Sequence, residues 1–210
     1  MRLGTLILVL TALLLLAACG DPAANKSRAV TGEAAQASPQ ASAADAQKYS
    51  ITSQNSKIEF TASQVAGSHS GSFQKFNGEV AYTGQPETSH VNVTIDTSSL
   101  NADDPQLTAH LKTPDFFDVA KYPTVTFVST AIKAGGDKGA SHTVTGNLTM
   151  HGVTKSVTFP ATISASGNAI NVDANFSLNR KDFNLNYAGP ANNLIRDNVV
   201  LTLKINATKG

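Results

Sequence analysis

The side chains of this chain that could act as nucleophile, base or metal ligand are few. There is one thiol, at Cys19, and there are five imidazoles, at His69, His90, His110, His142 and His151. The imidazoles contain no i, i+4 pair of the kind that sets two nitrogens on one face of a zinc-binding helix. A single Cys permits neither an intrachain disulfide nor a Cys-rich metal site. Gly67-Ser68-His69-Ser70-Gly71 has the glycine spacing of a nucleophile elbow, but His stands where the attacking Ser belongs. Asp103 and Asp104 could be paired carboxylates, yet their place before Pro105 explains them as acids at the positive end of a helix. These residues predict no catalytic set, no metal site and no cofactor, hence a protein that is not an enzyme.

Cys19 points to another chemistry. It closes the string Leu15-Leu16-Ala17-Ala18-Cys19, behind a single basic residue, Arg2, and an apolar run that starts at Leu3. A short positive start, an apolar core of about 7–15 residues and small residues at the cut make a secretory signal. The run falls short of the roughly 20 apolar residues of a membrane span. The string resembles a bacterial lipobox, whose Cys becomes the lipidated first residue of the mature chain. Residues 1–18 are then a lipoprotein signal peptide, and Cys19 attaches the protein to a membrane. Each buried methylene contributes about 0.8 kcal/mol, so two or more acyl chains hold stably. Gly20 follows the Cys and Asp21 comes one place later. That order predicts the outer membrane, with the body facing the periplasm.

Removing residues 1–18 takes away Arg2 and leaves fifteen basic against fifteen acidic side chains. A chain near zero charge lacks the electrostatic footprint for nucleic acid. Residues 20–48 are rich in Ala, Ser, Gln and Pro, with no aromatic side chain and Val30 as the one branched aliphatic. Such a composition cannot bury enough apolar surface to offset its ordering entropy. Residues 19–48 are therefore predicted to be the lipidated Cys and a disordered tether, spanning roughly 30 Å as a flexible coil.

From Tyr49 to Gly210 the pattern has period two. Val91, Val93 and Ile95 alternate with polar neighbours, as do Val144, Gly146, Leu148 and Met150. So do Val157, Phe159, Ala161 and Ile163, then Ile170, Val172, Ala174, Phe176 and Leu178, and finally Val199, Leu201, Leu203, Ile205 and Ala207. Strict alternation rich in Thr, Val, Ile and Phe predicts half-buried strands. Adding 57–64, 71–82 and 124–132 makes about eight. Gly135 to Gly139, His151-Gly152 and Ser166-Gly167-Asn168 supply the positive-φ residues of tight hairpins. Short connections make antiparallel neighbours, so the fold class is all-β: a closed up-and-down barrel or a sandwich. One stretch departs, near 104–121, where Asp104-Pro105 starts a short helix with Leu107 and Leu111 on one face. Beside a barrel, that helix and the Phe116-Phe117 pair would cover an open end.

The residues then carry a family resemblance. Leu111-Lys112, Phe116-Phe117-Asp118-Val119-Ala120-Lys121-Tyr122-Pro123 and Thr126-Phe127-Val128-Ser129-Thr130 resemble the central motif of the YceI-like family. Gly146 to Val157, GNLTMHGVTKSV, resembles its G-x-L-T hairpin, and Arg180-Lys181-Asp182-Phe183 resembles its R-x-D-F element. The chain departs from the pattern at Tyr49, where the family often has Trp, at Asn55 before Ser56, where it often has His, and at Asn184, where Gly is usual. The resemblance covers residues 49–210 and implies a lipocalin-like antiparallel barrel with a long apolar pocket. It also implies secreted or periplasmic proteins associated with polyisoprenoid or similar long-chain lipids, some of them homodimers. On that implication the ligand-binding candidates are Phe73, Phe76, Val93, Phe127, Leu148, Phe159 and Phe176, with Phe116 and Phe117 near the mouth. The alternative is a barrel filled by its own side chains, serving as a ligand-free structural or interaction module of the cell envelope.

Overall fold

The computed structural model describes residues 20–35 and 46–209. The signal peptide, Cys19 and the 36–45 part of the predicted tether lie outside the described residues. Where β-branched and aromatic residues recur at every second position the chain forms strands: β1 (Ser27–Arg28), β2 (Val30–Gly32), β3 (Gln47–Thr52), β4 (Lys57–Gln64), β5 (Gly67–Phe73), β6 (Phe76–Tyr82), β7 (His90–Asp96), β8 (Leu100–Ala102), β9 (Thr124–Ala134), β10 (His142–Met150), β11 (Val153–Ser166), β12 (Ala169–Asn179) and β13 (Asn198–Lys209). One short helix, α1 (Pro105–Leu111), interrupts them.

Eight of these strands close a barrel in the order β3-β6-β7-β9-β10-β11-β12-β13, with β13 returning to β3 through Thr208↔Ser50 and Lys209↔Tyr49. All the neighbours in that ring are antiparallel, and short glycine-marked turns join β9 to β10, β10 to β11 and β11 to β12, whereas β7 reaches β9 and β12 reaches β13 through longer segments. His151 at φ 51° and Gly152 at φ 75° make the β10–β11 turn, the pair of positive φ values that a two-residue hairpin requires.

Three strands are each broken once. β3 and β4 both run antiparallel to β13 and are separated by residues 53–56; at the break Ser56 Oγ accepts from the Asn206 amide at 3.0 Å, in place of a ladder partner. Asn55 Oδ1 accepts from Thr52 N at 3.0 Å, so the position that departs from the family pattern holds this bend. β5 and β6 are parted at Gln74 and Lys75, and β7 and β8 at a single 3-10 turn capped by Asp96. Beyond these breaks β4, β5 and β8 extend the sheet at one end, where β8 pairs with β5. Residues 103–123 pack beside β8: Asp104 caps α1 through Leu107 N at 2.7 Å, and Leu111 and Phe116 join Phe60, Leu100 and Ala102 in one buried cluster. The segment therefore packs on the β4–β5–β8 extension at that end of the barrel.

The segment 20–48 differs from expectation. Residues 20–35 are not a disordered tether: β1 pairs parallel to β12, and β2 pairs antiparallel to β11. Their composition misled because this segment needs no large side chains. It lies in a strand slot where Ser27 and Ala29, both buried, are large enough.

Two further clusters fill the barrel proper, one around Val157, Phe159, Phe176, Leu178 and Phe183, the other around Tyr49, Ile51, Phe76, Val80 and Ile170. Phe183 is fully buried. Phe183→Ala is expected to destabilise the fold by about 3–5 kcal/mol, the range for a buried Phe truncation, read as a lowered urea midpoint at unchanged slope.

Candidate functional site

The inward faces of the barrel enclose a cavity of about 250 Å³. Period two builds its wall: Val91, Val93 and Ile95 from β7, Val144, Leu148 and Met150 from β10, and Val199, Leu201, Leu203 and Ile205 from β13. The last four span about 20 Å of strand at roughly 3.3 Å per residue, or about 15 Å along the axis of a barrel whose strands tilt by about 35–45°, so the lining is long for the cavity's volume. A slim apolar tube suits a single chain better than a compact ring system. An apolar cavity of about 150 Å³ admits benzene, so this one at rest holds a chain of about ten carbons.

Of the nine sequence-predicted binding residues, eight line the cavity: Phe73, Val93, Phe116, Phe117, Phe127, Leu148, Phe159 and Phe176. Phe76 does not. It shares the inward face of β6 with Val80 and stands opposite Ile95, which both line the cavity, but is itself packed into the buried cluster with Tyr49 and Val80. The aromatic residues form two groups. Phe60, Phe73 and Phe117 meet at the α1 end, with ring centroids 6.2 and 5.7 Å apart. Phe127, Phe159 and Phe176 meet in mid-barrel, where Phe159 and Phe176 stack at 4.4 Å and 13°. Sequence reasoning passed over Phe60, Leu111 and Arg180, which also line the cavity. Alternation within 57–64 marks Phe60, but nothing local marks Arg180.

Among the described residues Arg180 is the one charged side chain in the lining, and its guanidinium is occupied elsewhere. Nε donates to Arg196 O at 3.1 Å, Nη2 to Ile195 O at 3.2 Å, and Nη1 to Leu185 O. Burial lowers its pKa and Asp197, 3.7 Å away, opposes the shift. The cation thus clasps both arms of the 184–197 loop and leaves its aliphatic stem to the cavity. The rest of the R-x-D-F element is equally structural: Asp182 accepts the Thr31 hydroxyl at 2.7 Å, Phe183 fills the core, and Asn184 takes φ 59°, a left-handed conformation open to Asn as to the usual Gly.

The imidazoles sit away from the lining. His69 Nδ1 lies 2.9 Å from Asp103, His110 Nε2 2.8 Å from Asp115, and His151 meets Tyr122 edge-on with ring centroids 4.6 Å apart. His142 stands between Ser141 Oγ at 2.7 Å and Glu87 at 3.4 Å, residue types of a hydrolytic relay. However, Ser141 Oγ accepts from Ile163 N at 2.9 Å and so caps a strand rather than facing a cleft. Asp103 is more than a helix-start acid: it also receives Ser70 N at 2.7 Å, fastening β5 to the start of the α1 segment. That backbone bond, then the His69 bond, lowers its pKa. A depressed carboxylate contributes stability that is complete above about pH 4 and lost as the pH falls through the folded-state value. Urea midpoints measured downward from pH 5 are expected to fall less steeply for Asp103→Asn than for the parent chain.

Residues 49–207 match the YceI-like domain family. A UPF0312 protein of Pseudomonas putida is 40% identical over 126 residues, covering 57% of this chain and 65% of that protein. The chain thus spans about two thirds of that relative's length. A UPF0312 protein of Pseudomonas fluorescens is 35% identical over 150 residues, 68% of this chain and 77% of the relative. Among solved structures, BcnA of Burkholderia cenocepacia superposes with a TM-score of 0.67 at 27% identity, covering 75% of this chain and 99% of its own. A domain of Saccharophagus degradans described as polyisoprenoid binding gives a TM-score of 0.62 at 16% identity, covering 79% of this chain and 99% of its own, a likeness of fold.

Proposed function

We propose that this chain, which belongs to the YceI-like domain family, binds a long-chain lipid such as a polyisoprenoid and acts as its carrier or buffer in the bacterial periplasm. The observation that carries the reading is the apolar cavity along the barrel, with no unoccupied charge in its wall. Affinity there comes from enclosure. An aliphatic tail burying about 500 Å² gains roughly 12 kcal/mol before ordering costs, which is ample for binding without polar recognition. The sequence around Cys19 supports a second element, attachment to the outer membrane through an acylated Cys19. Anchor and cavity together form a device that holds lipid close to a bilayer.

Native mass spectrometry of protein purified from its host should find a bound lipid. Leu148→Trp, which fills the cavity, is expected to cut binding of the extracted lipid at least about tenfold while costing about 1–3 kcal/mol of stability. An empty wild-type barrel, or binding unmoved by Leu148→Trp, favours the ligand-free envelope module instead. For the anchor, Cys19→Ser is expected to shift the protein from the membrane fraction to the soluble fraction on cell fractionation; continued membrane association would show attachment by other means.

A further inference from the structure

A long-chain lipid needs a way in, and apolar side chains stand at both ends of the cavity. At the α1 end stand Phe116, Phe117 and Ile195, which line it. At the other end Tyr49, Ile170 and Ala207 are buried outside the lining. A ligand longer than about ten carbons must also displace some part of the wall, given the volume at rest.

The wall has one discontinuity. β12 pairs with β13 along its whole length, Ala169 to Asn179, but with β11 it pairs only as far as Thr162↔Asp173. Beyond that point β11 and β12 part, and residues 27–32 lie in the slot. Ser27 and Arg28 pair with Phe176 and Ser177, Ala29 N donates to Ser177 O at 2.8 Å, and Val30, Thr31 and Gly32 pair with Thr158, Val157 and Ser156. Directly behind this insert sits the Phe159–Phe176 stack, which lines the cavity and shares a core cluster with Ala29. The side chains that the insert buries are small, Ser27 and Ala29, while Val30 is 68% exposed. The other ties of the insert and its flanks are polar: Ser27 Oγ to Asp137, Thr31 Oγ1 to Asp182, Lys138 Nζ to Asn25 O, Arg196 to Asp21 at 3.7 Å, and Asn147 to both backbone groups of Ala35. The segment itself buries little apolar area, which places it nearer the low-stability end of the molecule than the strands it joins, and its departure would uncover Val157 and Phe176.

We infer that the slot between β11 and β12 is a lateral entrance to the cavity for single-chain lipids, closed by residues 27–32 acting as a removable strand. The inference rests on the lipid-binding reading above. It also gives the short distance in sequence between this insert and Cys19 a consequence, since the entrance lies within a few residues of the proposed membrane attachment.

Val30 and Thr158 are directly opposed across an antiparallel pair and outside the cavity lining. Opposed Cα atoms in such a pair lie about 4.5–5.5 Å apart, within disulfide range. The full chain carrying Val30→Cys and Thr158→Cys, reconstituted in phosphatidylcholine vesicles, would be given dansyl-undecanoic acid and the fluorescence rise timed. Oxidation is expected to slow uptake about tenfold or more without changing the amount bound at equilibrium, and dithiothreitol to restore the rate, because a local opening is abolished. Equal rates in both redox states would overturn the entrance and leave the lipid reading standing. No uptake even by the reduced chain would overturn both. On the unaltered chain, the amides of Ala29 and β2 are expected to exchange with deuterium about tenfold faster than the β12–β13 ladder; exchange as slow as that ladder would remove the gate.

Discussion

Everything in this molecule depends on β13 finding partners on both sides. One edge is taken by β12 over its full length and the other by β3 and β4 in turn. That double pairing joins the last strand to the first and removes the edges an open sheet would leave. Once the ring is closed, side chains have an inside and an outside, and every second residue must point inward. An eight-stranded ring has room inside for side chains or for one small ligand. Here the inward positions are mostly Val, Leu, Ile and Phe, and the space they leave runs along the axis instead of collapsing to a point.

The breaks at residues 53–56, at Gln74 and Lys75 and at the turn after Asp96 belong to the same logic. A ring of constant section would stay open at its end. By breaking three adjacent strands, the chain leans β4, β5 and β8 over the α1 end and makes a place for Leu111, Phe116 and Phe117. Arg180 performs the matching task on the other side of that end. Three carbonyls of one loop converge on one guanidinium, a geometry that suits a planar fork with several donors. A lysine at that place would donate all its bonds from a single nitrogen, whereas Arg180 reaches Arg196, Leu185 and Ile195 from three separate atoms.

Much of this was legible in the sequence because alternation and turn glycines are local signals. The strands from β9 to β13 and the helix start at Asp104 follow from them, and eight of the nine candidates named on the family resemblance line the cavity. Phe76 faces inward with Val80 and Ile95 but is spent in packing against Tyr49 and Val80, a tertiary contact that no local pattern records. Arg180 escaped because its partners are backbone carbonyls, which no side-chain pattern advertises. The insert at residues 27–32 escaped for a deeper reason. Low hydrophobicity marks disorder only when a segment must build its own core; a segment that borrows a finished one needs only to be small enough to fit. What it fills is set by residues far away, at Val157 and Phe176.

That distance bears on the order in which the molecule assembles. Thr31 and its partner Asp182 are 151 positions apart. The residues of the insert precede the barrel in the chain, yet the slot they fill is made by β11 and β12. Closing so long a loop costs entropy that only a preformed site repays. The meander of sequence neighbours can form without the insert, whereas the insert has no slot without the meander. A piece that docks last onto an already folded body is also the piece that departs first when the chain begins to unfold.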